Sequence, residues 1–105
     1  MTEAMVVFTT LPTAEKAVEI SRTLVQERLV ACANLLPAIR SIYRWEGKLN
    51  DDNEVLVLLK TRAELLEKLK RRLVELHPYE LPEMIALRVE SGHAPYLEWI
   101  ASETK

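Results

Sequence analysis

Residues 29–60 read LVACANLLPAIRSIYRWEGKLNDDNEVLVLLK, and the two halves of this stretch form a hairpin. Leu29 to Trp45 contains no glycine and is dense in β-formers. Within it Ile39, Ser41, Tyr43 and Trp45 alternate with Arg40, Ile42 and Arg44 at the two-residue period of a strand. The polar run from Gly47 to Asn53 turns the chain, and Glu54 to Lys60 returns as a second, more continuously apolar strand. Pro37 has no amide hydrogen to give a ladder, which puts its segment at a sheet edge, a bulge or a bend. A strand from Leu29 to Trp45 measures on the order of 55 Å at the usual rise per residue, whereas a compact domain of this length is roughly 26 Å across. The hairpin therefore bends or projects beyond its own domain, and an apolar projecting edge invites pairing with another copy of the chain.

Outward from the hairpin, Met5–Thr9 is a short β-branched and aromatic run, and Leu11-Pro12-Thr13 supplies a turn and a helix cap. From Ala14 the apolar positions Ala17, Ile20 and Leu24, with Val18 and Val25 beside them, recur at helical spacing. On the other side, Thr61-Arg62-Ala63-Glu64 matches a capping box, which predicts that a second helix begins at Thr61. Its stripe is Leu65, Leu69, Leu73 and Leu76; Glu64–Lys68 and Glu67–Arg71 are spaced for ion pairs, and His77-Pro78 ends it. Glu83–Glu90 places Ile85, Leu87 and Val89 on one face of a half-buried strand. Gly92 turns the chain into a last helix, Ala94 to about Ser102, with Tyr96, Trp99 and Ile100 on one side. The order predicts an α+β, ferredoxin-like βαββαβ sandwich with a long central hairpin and a C-terminal helix; two helices cover one sheet face and leave the other bare.

At 105 residues the chain is read as one domain, residues 1–105. With 49% apolar and 29% charged residues and only two glycines, it has the composition of a packed globular domain. A net charge of −2 offers no general attraction for phosphate backbones or anionic lipid, so neither nucleic acid nor membrane is an expected partner. The basic run Lys68-Leu69-Lys70-Arg71-Arg72 reads as a solvated helix face. Cys32 is the single cysteine and is expected to be a small buried thiol; with no basic apolar leader at the N-terminus, this predicts a reducing, cytoplasmic setting.

Several linked motifs carry a family resemblance. They are Ala31-Cys32-Ala33-Asn34 with Pro37, Ser41-x-Tyr43-x-Trp45-x-Gly47, Lys60-Thr61, His77-Pro78-Tyr79-x-x-Pro82-Glu83 and Tyr96-Leu97-x-Trp99. In order and spacing they resemble the CutA divalent-cation tolerance family over essentially the whole chain. The resemblance implies an intertwined homotrimer, similar in design to the trimeric PII signalling proteins. It also implies a link to tolerance of copper and other divalent metals, with a molecular activity that the family itself leaves poorly defined. Copper-binding members are associated with a cysteine in the first strand and histidines before the Pro-Tyr motif. Here those positions hold Thr9 and Leu76, and only His77 is retained.

Soft and borderline metals need several thiolate or imidazole ligands at one point. One cysteine and two histidines, without CxxC or HxxxH, do not make such a site within one chain. His77 is the metal-ligand candidate, with Glu80 or Glu83 beside it and neighbouring subunits completing the set; otherwise it is a helix-ending residue with local hydrogen bonds. His93 reads as an exposed turn residue. Tyr43, Trp45, Tyr79, Tyr96 and Trp99 suit interface anchors or the walls of a small-ligand cleft near Tyr79, Glu83 and Lys60. No nucleophile triad, P-loop or paired-carboxylate motif is present. Three roles remain open: a trimer that binds a divalent metal such as copper, or a small ligand, at its interfaces; a trimeric scaffold or PII-like signalling protein that presents a protein-interaction surface; and a small enzyme whose site forms only between subunits. The first, a binding and assembly protein rather than an enzyme, leads.

Overall fold

The structure, a computed structural model, describes residues 3–105. Its elements are β1 (Ala4–Leu11), α1 (Ala14–Gln26), β2 (Cys32–Trp45), β3 (Lys48–Arg62), a 3-10 turn (Ala63–Leu65), α2 (Leu66–Leu76), β4 (Ile85–Arg88) and α3 (Ala94–Glu103). The strands form one antiparallel sheet in the order β2-β3-β1-β4, the ferredoxin-like arrangement. On β3, buried Val55, Val57, Leu59 and Thr61 alternate with half-buried Glu54, Leu56, Leu58 and Lys60. The buried set packs with Val7 and Leu11 of β1 against Ala17, Ile20 and Leu24 of α1 and Leu69 and Leu73 of α2. The opposite face is largely open, as expected. α3 covers one end of it through Ile100, which packs with Ala4 and Ala31.

The hairpin projects. The molecule measures 45 × 25 × 23 Å, and its long axis reflects two strands of 14 and 15 residues. Pro37 lies in an edge strand at a bulge between Leu36 and Ile39, two of the settings expected of it. The turn is tighter than the predicted Gly47–Asn53 loop. Only Glu46 and Gly47 leave the ladder, both with positive φ (50° and 76°), as a two-residue I′ turn requires. Leu49–Asn53 instead pair with Arg44–Arg40. Apart from Leu49 they are polar, because the projecting ladder is wet on both faces, and this mimics a loop composition.

Other boundaries move for local reasons. β2 starts at Cys32 because Leu29 and Val30 still donate to the Leu24 carbonyl (3.1 and 3.4 Å), closing α1 through Arg28 at φ 62°. Thr13 caps α1 as predicted, accepting from the Lys16 amide at 3.1 Å. The Thr61 capping box does not form. Thr61 is a buried β3 residue whose hydroxyl donates to the Leu29 carbonyl at 2.7 Å, and the helical turn starts after Arg62. On α2 the anticipated pairs Glu64–Lys68 and Glu67–Arg71 are replaced by Lys70–Glu67 (3.1 Å) and by Arg72, which grips Glu27 of the α1 C-cap at 2.7 Å and also meets Glu75. β4 is short and exposed rather than half-buried, since it is the outer strand and no helix covers Ile85 or Leu87.

Candidate functional site

β1 ends at Leu11, opposite Val55, while β3 continues without it from Glu54 back to Lys48. This step in the sheet makes a cleft. Its floor is the hairpin face that carries Ser41, Tyr43 and Trp45; pairing of Ser41 with Asp52 brings Asp52, and beside it Glu54, onto the same face. The Tyr43 hydroxyl donates to Asp52 Oδ2 at 2.5 Å. On the reverse face Arg40 holds Asp51 in a bidentate pair (2.8 and 2.7 Å), so the two neighbouring aspartates serve opposite sides.

The wall comes from the chain leaving α2. Pro78 forces His77 out of the helix (ψ 136°), and the His77 ring turns inward, 8% exposed. Its Nε2 lies 2.9 Å from the Thr10 carbonyl, and its Nδ1 accepts the Tyr79 amide at 3.1 Å. Those partners assign a neutral ring with its proton on Nε2. Tyr79, packed against that ring at 4.9 Å, donates its hydroxyl to Glu54 Oε2 at 2.6 Å. Glu80 and Glu83 complete the wall of a cavity of about 770 Å³.

The cleft is electronegative. Asp52, Glu54, Glu80 and Glu83 line it with one basic residue, Arg44, and among the described residues none of these four carboxylates has an ion-pair partner. Burial, and secondarily the Glu54 charge, pushes the Glu83 carboxyl above its ordinary range. Burial and the Glu54 hydrogen bond push the Tyr79 phenol up, and the Asp52 hydrogen bond, then burial, does so for Tyr43. Both phenols are therefore protonated donors that tie carboxylates in place. The arrangement can hold a positive charge. It offers no general base from His77, whose two nitrogens are already engaged.

Lys60 and Trp99 do not join this cleft. Lys60 stands at the far end of β3, its Nζ 3.1 Å from the Tyr96 hydroxyl and 5.3 Å from that ring's centre; this contact raises the Lys60 pKa. Trp99 packs beside Tyr96 on α3, ring centres 5.5 Å apart. Six residues of extended strand separate Lys60 from Glu54, about 20 Å, so within one chain Lys60 does not share the cleft of Tyr79 and Glu83. Cys32 pairs with Lys60 in that distant region and is part-exposed, at the start of its strand rather than in the core. Asp52 and Glu54 escaped the sequence reading. The hairpin register would have found them, had the two-residue Glu46-Gly47 turn been recognised.

A bound metal meets a poor fit within one chain. Access to His77 Nδ1 requires displacement of the Tyr79 amide, Cys32 lies elsewhere, and among the described residues no three His, Cys, Asp or Glu side chains converge on one point.

The comparisons with known proteins are consistent with one another. A family model described as CutA1 divalent ion tolerance protein matches residues 5–103. The divalent-cation tolerance protein CutA of Pyrococcus horikoshii is 48% identical over 101 residues, 96% of this chain and 98% of that protein. The human protein CutA is 47% identical over 98 residues, 93% of this chain and 55% of that protein; this chain thus spans about half the length of such mammalian relatives. Among solved structures, the Thermus thermophilus divalent cation tolerance protein superposes with a TM-score of 0.94 at 44% identity, covering 97% of this chain and 99% of that one. CutA1 from Oryza sativa gives 0.95 at 39% identity, covering 98% and 94%.

Proposed function

This chain belongs to the CutA1 divalent ion tolerance family, and on that premise we propose that it is a cytoplasmic, non-enzymatic homotrimer acting in the response to divalent metal ions. Its ligand, a divalent metal such as copper or a small molecule, is taken up in the acidic cleft at the subunit interface. The observation that carries this reading is the cleft, where four carboxylates without ion-pair partners among the described residues meet three aromatic side chains, Tyr43, Trp45 and Tyr79. Because the described residues of one chain do not assemble a metal cage, a metal in this reading needs donors from more than one subunit.

Self-association is supported by the projecting hairpin, which exposes Ile42 (63%) and Leu49 (74%), and by the open sheet face with Leu36 and Ile85. The scaffold alternative is favoured by that same open face, which can receive a protein partner. Sedimentation equilibrium tests the assembly: a mass near three chains is expected, reduced by Trp45→Asp, and a concentration-independent monomer overturns it. Calorimetric titration of copper and zinc into the wild type and Glu83→Gln tests the ligand. Heat that saturates in the wild type and weakens in the variant is expected; heat indifferent to the substitution removes the cleft from the metal's path.

A further inference from the structure

We propose that the cleft between the hairpin and the Tyr79–Glu83 segment is a receptor for an aliphatic polyamine, an organic cation with several ammonium groups. The proposal rests on the reading of the cleft as a ligand site and names the ligand class that its chemistry selects.

Within one chain, volume and donor geometry suit an organic cation better than a bare metal ion. A cation such as Mg²⁺, Ca²⁺ or Zn²⁺ requires ligand atoms converging at about 2.0–2.6 Å from one centre. No three acidic, cysteine or histidine side chains do this among the described residues. The cavity, about 770 Å³, is instead of the size that encloses a small organic molecule. Among the described residues its carboxylates do not converge as a set of metal ligands. Asp52 and Glu54 sit two residues apart on one strand face, a repeat of about 7 Å, while Glu83 comes from the segment between α2 and β4, close enough to feel the Glu54 charge. Negative charges that do not converge on one centre match a chain of ammonium groups separated by methylenes.

The remaining lining fits the same ligand. Tyr43, Trp45 and Tyr79 supply aromatic surface, which attracts ammonium through the ring quadrupole and packs against methylene spacers. Each tyrosine hydroxyl already donates to a carboxylate, Tyr43 to Asp52 and Tyr79 to Glu54. The bonds orient these two acids without neutralising them, and each keeps lone pairs for an N–H donor. Four acids against Arg44 leave a net deficit of positive charge that an alkylammonium supplies. The same chemistry has a second source, a lysine side chain of another copy reaching into the cleft.

The test uses the full chain carrying Trp99→Phe, so that Trp45 alone reports, at an ionic strength of about 0.15 M. Spermidine is expected to change Trp45 emission saturably. Glu83→Gln weakens its binding about tenfold or more through the lost charge-assisted contact, Glu64→Gln on the outer helix surface leaves it unchanged, and NaCl at matched ionic strength has no such effect. An unsaturable response, or one equal in Glu83→Gln, overturns the proposal. Zinc that saturates the signal while spermidine is silent also overturns it, yet leaves the cleft as a ligand site. If neither binds and Glu83→Gln dissociates the assembly, the cleft holds a lysine of another copy and the free polyamine is refuted. If neither binds and the substitution is silent in assembly, both this proposal and the ligand reading fall.

Discussion

Replacing His77 by alanine separates a structural role from a metal-binding one. The ring is 8% exposed and uses both nitrogens, Nε2 toward the Thr10 carbonyl at 2.9 Å and Nδ1 toward the Tyr79 amide at 3.1 Å. Alanine leaves both backbone groups without these partners, at about 1 kcal/mol or more each, and removes ring packing worth about 1–2 kcal/mol. A loss of about 3–4 kcal/mol follows. Urea unfolding at fixed protomer concentration measures it, once in chelator and once in excess zinc, because assembly and metal binding both shift apparent stability. The structural role predicts the same deficit in both. A deficit below about 0.5 kcal/mol in chelator, a size typical of uninvolved surface positions, that grows only with zinc refutes the hydrogen-bonded reading and returns His77 to the metal. Burial holds the folded His77 pKa below its ordinary value, although the Thr10 carbonyl and the Glu54 charge oppose this. Its contribution is thus complete above about pH 6.5, the unfolded value, and is lost as pH falls through the folded pKa. Below that pH the proton on Nδ1 faces the Tyr79 amide, and the stability difference between wild type and His77→Ala narrows.

Three further outcomes are expected. Glu83→Gln stabilises the fold at neutral pH, because burial raises the folded carboxyl pKa and ionisation therefore costs stability there; the gain disappears below about pH 4.5, and thermal melts across pH 3–7 record it. Thr61→Val keeps the shape of a fully buried side chain but removes its 2.7 Å bond to the Leu29 carbonyl, which costs about 1–2 kcal/mol by denaturant unfolding; an unchanged midpoint refutes that role. Gly47→Ala meets no atom within 4 Å, so its cost of about 1 kcal/mol comes only from the positive φ of 76°, and a clash-sized loss contradicts the turn geometry.

Much of the fold is legible because burial writes a period into the sequence. Ala17, Ile20 and Leu24 mark the inner face of α1, and Leu69 and Leu73 that of α2. Legibility fails where the chain stands in water on both faces. Leu49–Asn53 carry the composition of a loop and the backbone of a strand, because no core imposes alternation there. Thr61 misleads for the opposite reason. Its hydroxyl has a local partner in a capping box and a tertiary one in Leu29, and the tertiary bond prevails because it satisfies a carbonyl in the interior. In the cleft, Tyr43, Trp45, Tyr79 and Glu83 were nameable as aromatic or acidic motif residues. Asp52 and Glu54 were not, since membership depends on which residue of β3 faces Ser41.

Local physics by itself determined the element order, the two helices on one side of the sheet, the excess length of the hairpin and the end of α2 at His77-Pro78. Each follows from the spacing of apolar residues or from a backbone restriction within a few positions. Only the tertiary structure decided what His77 binds, which acids share the cleft, and that Lys60 and Trp99 stand apart from it. Those facts depend on strand register and on a loop crossing the end of β1. Contacts between residues as far apart as Thr10 and His77 leave no period in the sequence that joins them.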